Sequence, residues 1–186
     1  MQHPVKRTKY SRFNTPGSAL FMSFRCYKYR KFLNYNRTRQ YFLDSLNRSR
    51  TKYLFDIWAY VIMPEHVHLL IWPRFESYST SDILKSLKLS VSKKSINWLR
   101  MNNPEILEFM RTGLVQPEFR FWQNGGGYIM NVDDRKAIEE IMEYIHMNPV
   151  KAGLVGRPED WYWSSSGAWI YDSVKPLRID KDSYPI

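Results

Sequence analysis

Apolar residues recur with a period of two over residues 19–26, where Leu20, Met22, Phe24 and Cys26 share one face, and this alternation predicts a strand. A helical period follows over residues 36–50, with Phe42, Leu43 and Leu46 turned inward and Asn36 placed to cap the N-terminus. Residues 54–62 (LFDIWAYVI) and 66–72 (HVHLLIW) are β-branched and aromatic, and the turn Met63-Pro64-Glu65 separates them. Over residues 81–100, Ile83, Leu87 and Val91 return every four positions, while Lys85, Lys88, Lys93 and Lys94 cover the solvated side. A short helix is expected around residues 104–111 and a short strand at 118–122 (EFRFW), before the loop Gly125-Gly126-Gly127. The last main helix is expected over residues 133–147, closed by Pro149, which biases the residue before it away from helix. The order β-α-β-β-α-β followed by a helix predicts an α+β fold: a ferredoxin-like split βαβ, an antiparallel sheet with helices on one face. It divides the chain into a flexible basic arm (1–17, ending at Pro16-Gly17), one domain (18–157), and a C-terminal tail packing on that domain (158–186).

Composition narrows the class of protein. The chain's 186 residues suit one domain, and its 44% apolar content is enough for a core. A single cysteine, Cys26, excludes an intramolecular disulfide, and no apolar run has the length of a membrane span. Both features lead us to expect a cytoplasmic protein. The net charge of +10 is unevenly spread: residues 1–52 carry thirteen Lys and Arg against one acid, Asp44. The remainder carries fifteen basic and seventeen acidic groups. Tyr10, Phe13, Tyr27, Tyr29, Phe32 and Tyr35 are interleaved with this charge, a mixture suited to gripping phosphates and stacking on unpaired bases. Arg25, Lys28, Arg30, Lys31, Lys85 and Lys88 are therefore candidate DNA contacts, with Trp122 as a stacking platform. The plainer reading is a basic arm beside ordinary core aromatics.

Two of the four histidines, His66 and His68, stand two residues apart on an expected strand. That spacing puts them on one side, with Cβ atoms roughly 6.5–7 Å apart. Two imidazoles so placed can converge on one metal ion at about 2.0–2.2 Å, or can simply be half-exposed side chains bonded to neighbours. On the last helix Ile138, Ile141, Met142 and Ile145 form the buried stripe, and Tyr144 and Asn148 stand four apart along its edge. There Tyr144 can present its hydroxyl to a site, and Asn148 can offer a hard amide oxygen of the kind Mg²⁺ or Mn²⁺ accepts. The same positions also suit a core-edge tyrosine and a helix C-cap.

The segments YVIMPEHVHLLIWP (60–73) and YIHMNPVKAGLV (144–155), with FWQNGGGY (121–128), WYWSSSGAW (161–169) and KPLRID (175–180), resemble the REP-associated tyrosine transposases. These belong to the single-tyrosine branch of the HUH nucleases. The resemblance covers roughly residues 15–182 with its motifs in the expected order; YIMNV (128–132) stands where that family is more polar. It implies that Tyr144 is the catalytic nucleophile and that His66, His68 and Asn148 bind a divalent metal, Mg²⁺ or Mn²⁺. It further implies cleavage and rejoining of single-stranded DNA at REP-like hairpins through a 5′-phosphotyrosine intermediate, by a monomer or homodimer. The alternatives are a non-catalytic single-stranded nucleic-acid-binding protein on the same fold, and a nicking enzyme of the replication-initiator or relaxase type.

Overall fold

The computed structural model describes residues 14–185; the first thirteen residues of the expected basic arm lie outside them. Four strands, β1 (Ala19–Arg25), β2 (Phe55–Ile62), β3 (His66–Pro73) and β4 (Tyr128–Val132), form one sheet in the order β2-β3-β1-β4. Every neighbouring pair is antiparallel. The helices are α1 (Asn36–Tyr53), α2 (Thr80–Asn102), the short α3 (Glu105–Glu108), α4 (Arg135–Lys151) and α5 (Ser166–Tyr171). This is the expected α+β, split-βαβ arrangement.

The pleat sorts side chains to two cores. Met22, Phe24, Val67, Leu69 and Ile71 face α1 and α2, against Phe42, Leu46, Leu87 and Val91. The opposite face carries Phe21, Leu70 and Trp58 against Ile138 and Ile145 of α4. The two long early helices thus share one face, as expected, and the last helix covers the other. Ser45 Oγ reaches Leu87 O at 3.3 Å and Ser49 Oγ meets Ser86 Oγ at 2.9 Å, joining α1 to α2 where both helices carry small residues. In β2 the register shifts between Ile57 and Ala59, so Trp58 is an extra, bulged residue. Its ring stacks on Trp72, with centroids 5.1 Å apart.

All eight residues of β2 are buried although it is an edge strand. The residues after 158 supply the missing partner. Ile62 N donates to Trp163 O at 2.9 Å, Ser165 N to Tyr60 O at 3.0 Å, and Asp180 N to Ile57 O at 2.9 Å. Ser165 Oγ and Asp180 Oδ2 accept from Tyr60 N and Ile57 N, each at 2.9 Å. Pairing an edge in this way removes its exposed donors and acceptors.

Several boundaries differ from the sequence reading. Residues 118–122 are not a strand. Their backbone bonds go to several segments: Arg120 N to Met110 O, Tyr27 N to Phe121 O, and an isolated bridge from Cys26 to Trp122. No ladder can extend from such a set. The fourth strand is Tyr128–Val132, which pairs with β1 and is only partly buried, so its apolar alternation is weak. At the start of α1 the cap position is Tyr35 rather than Asn36, and Thr38 Oγ1 donates to Phe32 O and Tyr35 O at 2.9 Å. Helix α4 runs through Pro149 to Lys151, since Ala152 N still finds Asn148 O at 3.0 Å and Leu154 N finds Pro149 O at 2.9 Å. It starts after Asp134, whose carboxylate accepts from Ala137 N at 2.8 Å.

Candidate active site

His66 and His68 enter the site from β3, and Tyr144 and Asn148 from α4, which crosses that face. Cross-strand register places Arg25 opposite His66 and Ser23 opposite His68. The imidazoles lie 4.7 Å apart between ring centroids and are buried, with 8% and 4% of their surface exposed. Tyr144 Oη is 3.5 Å from His68 Nε2, while 43% of Tyr144 remains exposed. Phe21 supports the group from below, stacked on His68 at 5.7 Å and edge-on to Tyr144 at 6.3 Å. The four residues that the sequence reading singled out for chemistry therefore converge.

The histidines are held neutral. Burial pushes the His66 pKa down, against the pull of Glu65. Burial lowers His68 further, to about 3, with help from His66 and Arg25. Neutral imidazoles keep a lone pair for a ligand. Glu65 Oε1 lies 2.9 Å from His66 Nδ1, so that nitrogen carries the proton and Nε2 presents its lone pair. Asn148 Nδ2 donates to Tyr144 O at 2.8 Å, which turns Oδ1 toward His66 Nε2, 3.4 Å away. One acceptor thus faces another, an arrangement that a cation between them would satisfy. Among the described residues no three His, Cys, Asp or Glu side chains gather on one point. A metal held here would need a third ligand of another residue type, and the Asn148 amide oxygen is of the kind hard divalent ions accept. Glu65, which the sequence reading leaves in the turn, stands behind His66 as carboxylates stand behind histidines in many metal sites, and its place next to His66 was the available signal.

A cleft of about 460 Å³ opens beside Tyr144 and His68, lined also by Arg25, Gln123, Asn124 and Tyr128. Lys151 Nζ lies 5.4 Å from the Tyr144 ring centroid. Of the candidate DNA contacts, Arg25, Lys28, Arg30, Lys31 and Lys85 are exposed, and Arg25 lines the cleft. Lys88 is half-buried. Its ammonium donates to Gly125 O at 2.8 Å and Gln123 O at 3.3 Å, which pins the glycine loop. Trp122 does not fit the role expected of it. It is 4% exposed, packs edge-on against Phe24 at 5.1 Å, and donates from Nε1 to Lys88 O at 3.0 Å. A ring enclosed in this way cannot stack on a base. Trp161 and Trp163 are half-buried, with the Arg39 guanidinium over their rings at 5.1 and 5.6 Å.

The family model described as transposase IS200 like matches residues 23–148, from β1 through Asn148. The chain belongs to this family of transposases. A REP-associated tyrosine transposase of Haemophilus influenzae is 28% identical over 137 residues, covering 70% of this chain and 73% of the relative. A solved REP-associated tyrosine transposase bound to a REP hairpin shares the fold, with a TM-score of 0.67 at 19% identity over 96% of this chain and 94% of that one. In this transposase, among the described residues, no helix is long and apolar enough to cross a membrane.

Proposed function

We propose that this transposase cleaves and rejoins single-stranded DNA beside a hairpin, with Tyr144 as the nucleophile. The observation that carries this reading is the half-exposed Tyr144 hydroxyl 3.5 Å from His68, at the edge of a cleft that also holds Arg25. In the forward step a bond forms between Tyr144 Oη and the scissile phosphorus as the bond from phosphorus to the 3′-oxygen breaks. The phenolic proton passes by way of solvent to the departing 3′-hydroxyl. The 5′-phosphotyrosine conserves the phosphodiester energy, so a 3′-hydroxyl can reverse the step and join strands without ATP.

Charge accumulates on the non-bridging oxygens during attack, and preorganised positive groups at that point lower the barrier. A divalent cation, Mg²⁺ or Mn²⁺, held by His66, His68 and Asn148 would polarise the phosphate as a Lewis acid. Arg25 beside the histidines and Lys151 over the tyrosine ring are the cations placed to hold the phosphate. Phe21 fixes the planes of both rings, so Tyr144 gives up little freedom on attack. The structural relative's REP hairpin makes a REP-like hairpin with an unpaired flank the substrate to test. A nucleoid-associated place in the cytoplasm follows from such a substrate.

The test is incubation with labelled flanked hairpins and Mn²⁺, followed by a denaturing gel. Wild type is expected to give a protein–DNA adduct, and Tyr144→Phe none, with an unchanged melting temperature. An adduct formed by the phenylalanine variant would assign the nucleophile elsewhere. A wild type that binds the hairpin yet forms no adduct would favour the non-catalytic binding protein.

A further inference from the structure

A second cavity, of about 650 Å³, lies between α2 and the segment 117–126. Its floor is apolar, formed by the accessible faces of Leu89, Ile96 and Phe119 over the enclosed Phe121 and Trp122. Lys85, Lys93 and Arg120 stand around it, and no aspartate or glutamate of the described residues lines it. The volume lies within the range of about 300–1,000 Å³ in which proteins enclose small organic ligands. An apolar floor within a cationic rim suits a flat ring attached to a phosphate.

This groove is continuous with the cleft at Tyr144, because Lys88, Gln123 and Asn124 line both. Gln123 is fixed at this junction: its backbone N donates to Arg25 O at 2.8 Å, and its Oε1 accepts from Lys28 N at 3.2 Å. The side-chain NH₂ of Gln123 is left as a donor, and Asn124 beside it is exposed. Amides of this kind recognise base edges. Bases in a duplex are stacked and paired, so only unpaired ones can turn into such a groove.

We propose that the groove between α2 and residues 117–126 seats unpaired bases of the single strand flanking the hairpin, and that Gln123 and Asn124 read the strand as it passes into the Tyr144 cleft. The proposal rests on the single-strand reading above and adds where, and by which residues, the flank is held. The rim lysines take the phosphates, and the floor accepts the face of a base. The loop 123–127 then acts as the sill between binding and chemistry. Lys88 holds that sill in place through the carbonyls of Gln123 and Gly125.

The experiment compares two hairpins by fluorescence anisotropy at one salt concentration: one with a thymidine-containing single-stranded flank, and the same stem and loop without it. Ser92→Trp, which fills the groove from α2, and Asn124→Ala are each combined with Tyr144→Phe so that no cleavage intervenes. Each is expected to weaken binding of the flanked hairpin about tenfold, the scale of one stacked base, and to leave binding of the bare one unchanged. Unchanged affinity for the flanked hairpin, or equal weakening on both, overturns the proposal. A second measurement does not depend on how the variants fold: wild type is photo-crosslinked to flanks carrying 4-thiothymidine at successive positions. Crosslinks are expected in peptides from 81–96 and 117–126, and crosslinks confined to other segments, or a groove taken by a peptide instead, overturn it. None of these readouts needs an adduct, so failure of the strand-transfer reading and failure of the groove are told apart.

Discussion

His66 stands between two side chains with opposite demands. Glu65 fixes the Nδ1 proton from one side, and Asn148 turns an oxygen, not a donor, toward Nε2 on the other. Without Glu65 the tautomer could reverse, and Nε2–H would then satisfy Asn148 and close the site to a cation. Glu65→Gln keeps the side chain's length but removes its charge and its bias toward one tautomer. The Mn²⁺ concentration for half-maximal adduct formation is expected to rise roughly 10–100-fold, while hairpin affinity in chelator stays as in wild type. An unaltered Mn²⁺ requirement would remove Glu65 from the site, and undiminished cleavage by wild type in EDTA would remove the metal.

At the level of elements, the glycine loop and β4 show how a weak strand is positioned. Gly125 and Gly127 are both left-handed, at φ +85° and +78°, where a side chain is strained. They differ in their surroundings. A Cβ on Gly125 would meet nothing within 4 Å, whereas one on Gly127 would lie 2.2 Å from Ser23 O and 2.9 Å from Phe24 Cβ. Gly127 is where the chain crosses β1 before pairing with it through Tyr128–Val132. Gly125→Ala is expected to cost about 1–2 kcal/mol, the backbone effect alone, and Gly127→Ala clearly more because the β1–β4 crossing must open. Urea unfolding of the two variants decides this, and equal losses would show that the crossing yields freely. Helix α4 is held in a comparable way: His146 Nε2 lies 2.8 Å from Ser165 Oγ, and Ser165 is bonded to Tyr60 of β2. The helix carrying Tyr144 is thus tied to the sheet edge through the tail.

Across the whole molecule, the edge of β2 is closed by the chain's own tail, and one chain brings Tyr144 to its own His68. The positive charge is not uniform either. Arg25, Lys28, Arg30 and Lys31 follow one another at the end of β1 and in the turn after it, and all four are exposed. Arg30 and Arg25 lie over the rings of Phe109 and Tyr29, at 4.6 and 5.4 Å. Replacing the four with glutamine is expected to weaken binding of a flanked hairpin and to flatten its dependence on salt. The logarithmic slope should fall by about 0.7 for each single-strand phosphate that the variant no longer neutralises. A slope equal to that of wild type would mean that this charge faces away from the DNA.

The sequence by itself determined the parts of this protein that local periodicity encodes. The period of two in β1, the β-branched and aromatic runs of β2 and β3, and the period near four in α2 and α4 were readable because each is a pattern among neighbours along the chain. The two histidines, Tyr144 and Asn148 were readable as pairs, since spacing along a strand or a helix dictates which side chains share a side. That the pairs meet was suggested only by family resemblance; their meeting depends on α4 crossing the far face of the sheet. Tertiary structure alone decided the rest. EFRFW alternates like a strand but finds no single partner, whereas YIMNV lacks a clear alternation and still pairs with β1, because an edge strand needs a hydrogen-bonding neighbour more than two buried faces. Trp122 sits beside the glycine loop in sequence, where nothing local covers its ring. Phe24 and Phe42, distant along the chain, close around it together with its neighbour Phe121. Periodicity is a property of neighbours along the chain; enclosure depends on residues that only folding brings together.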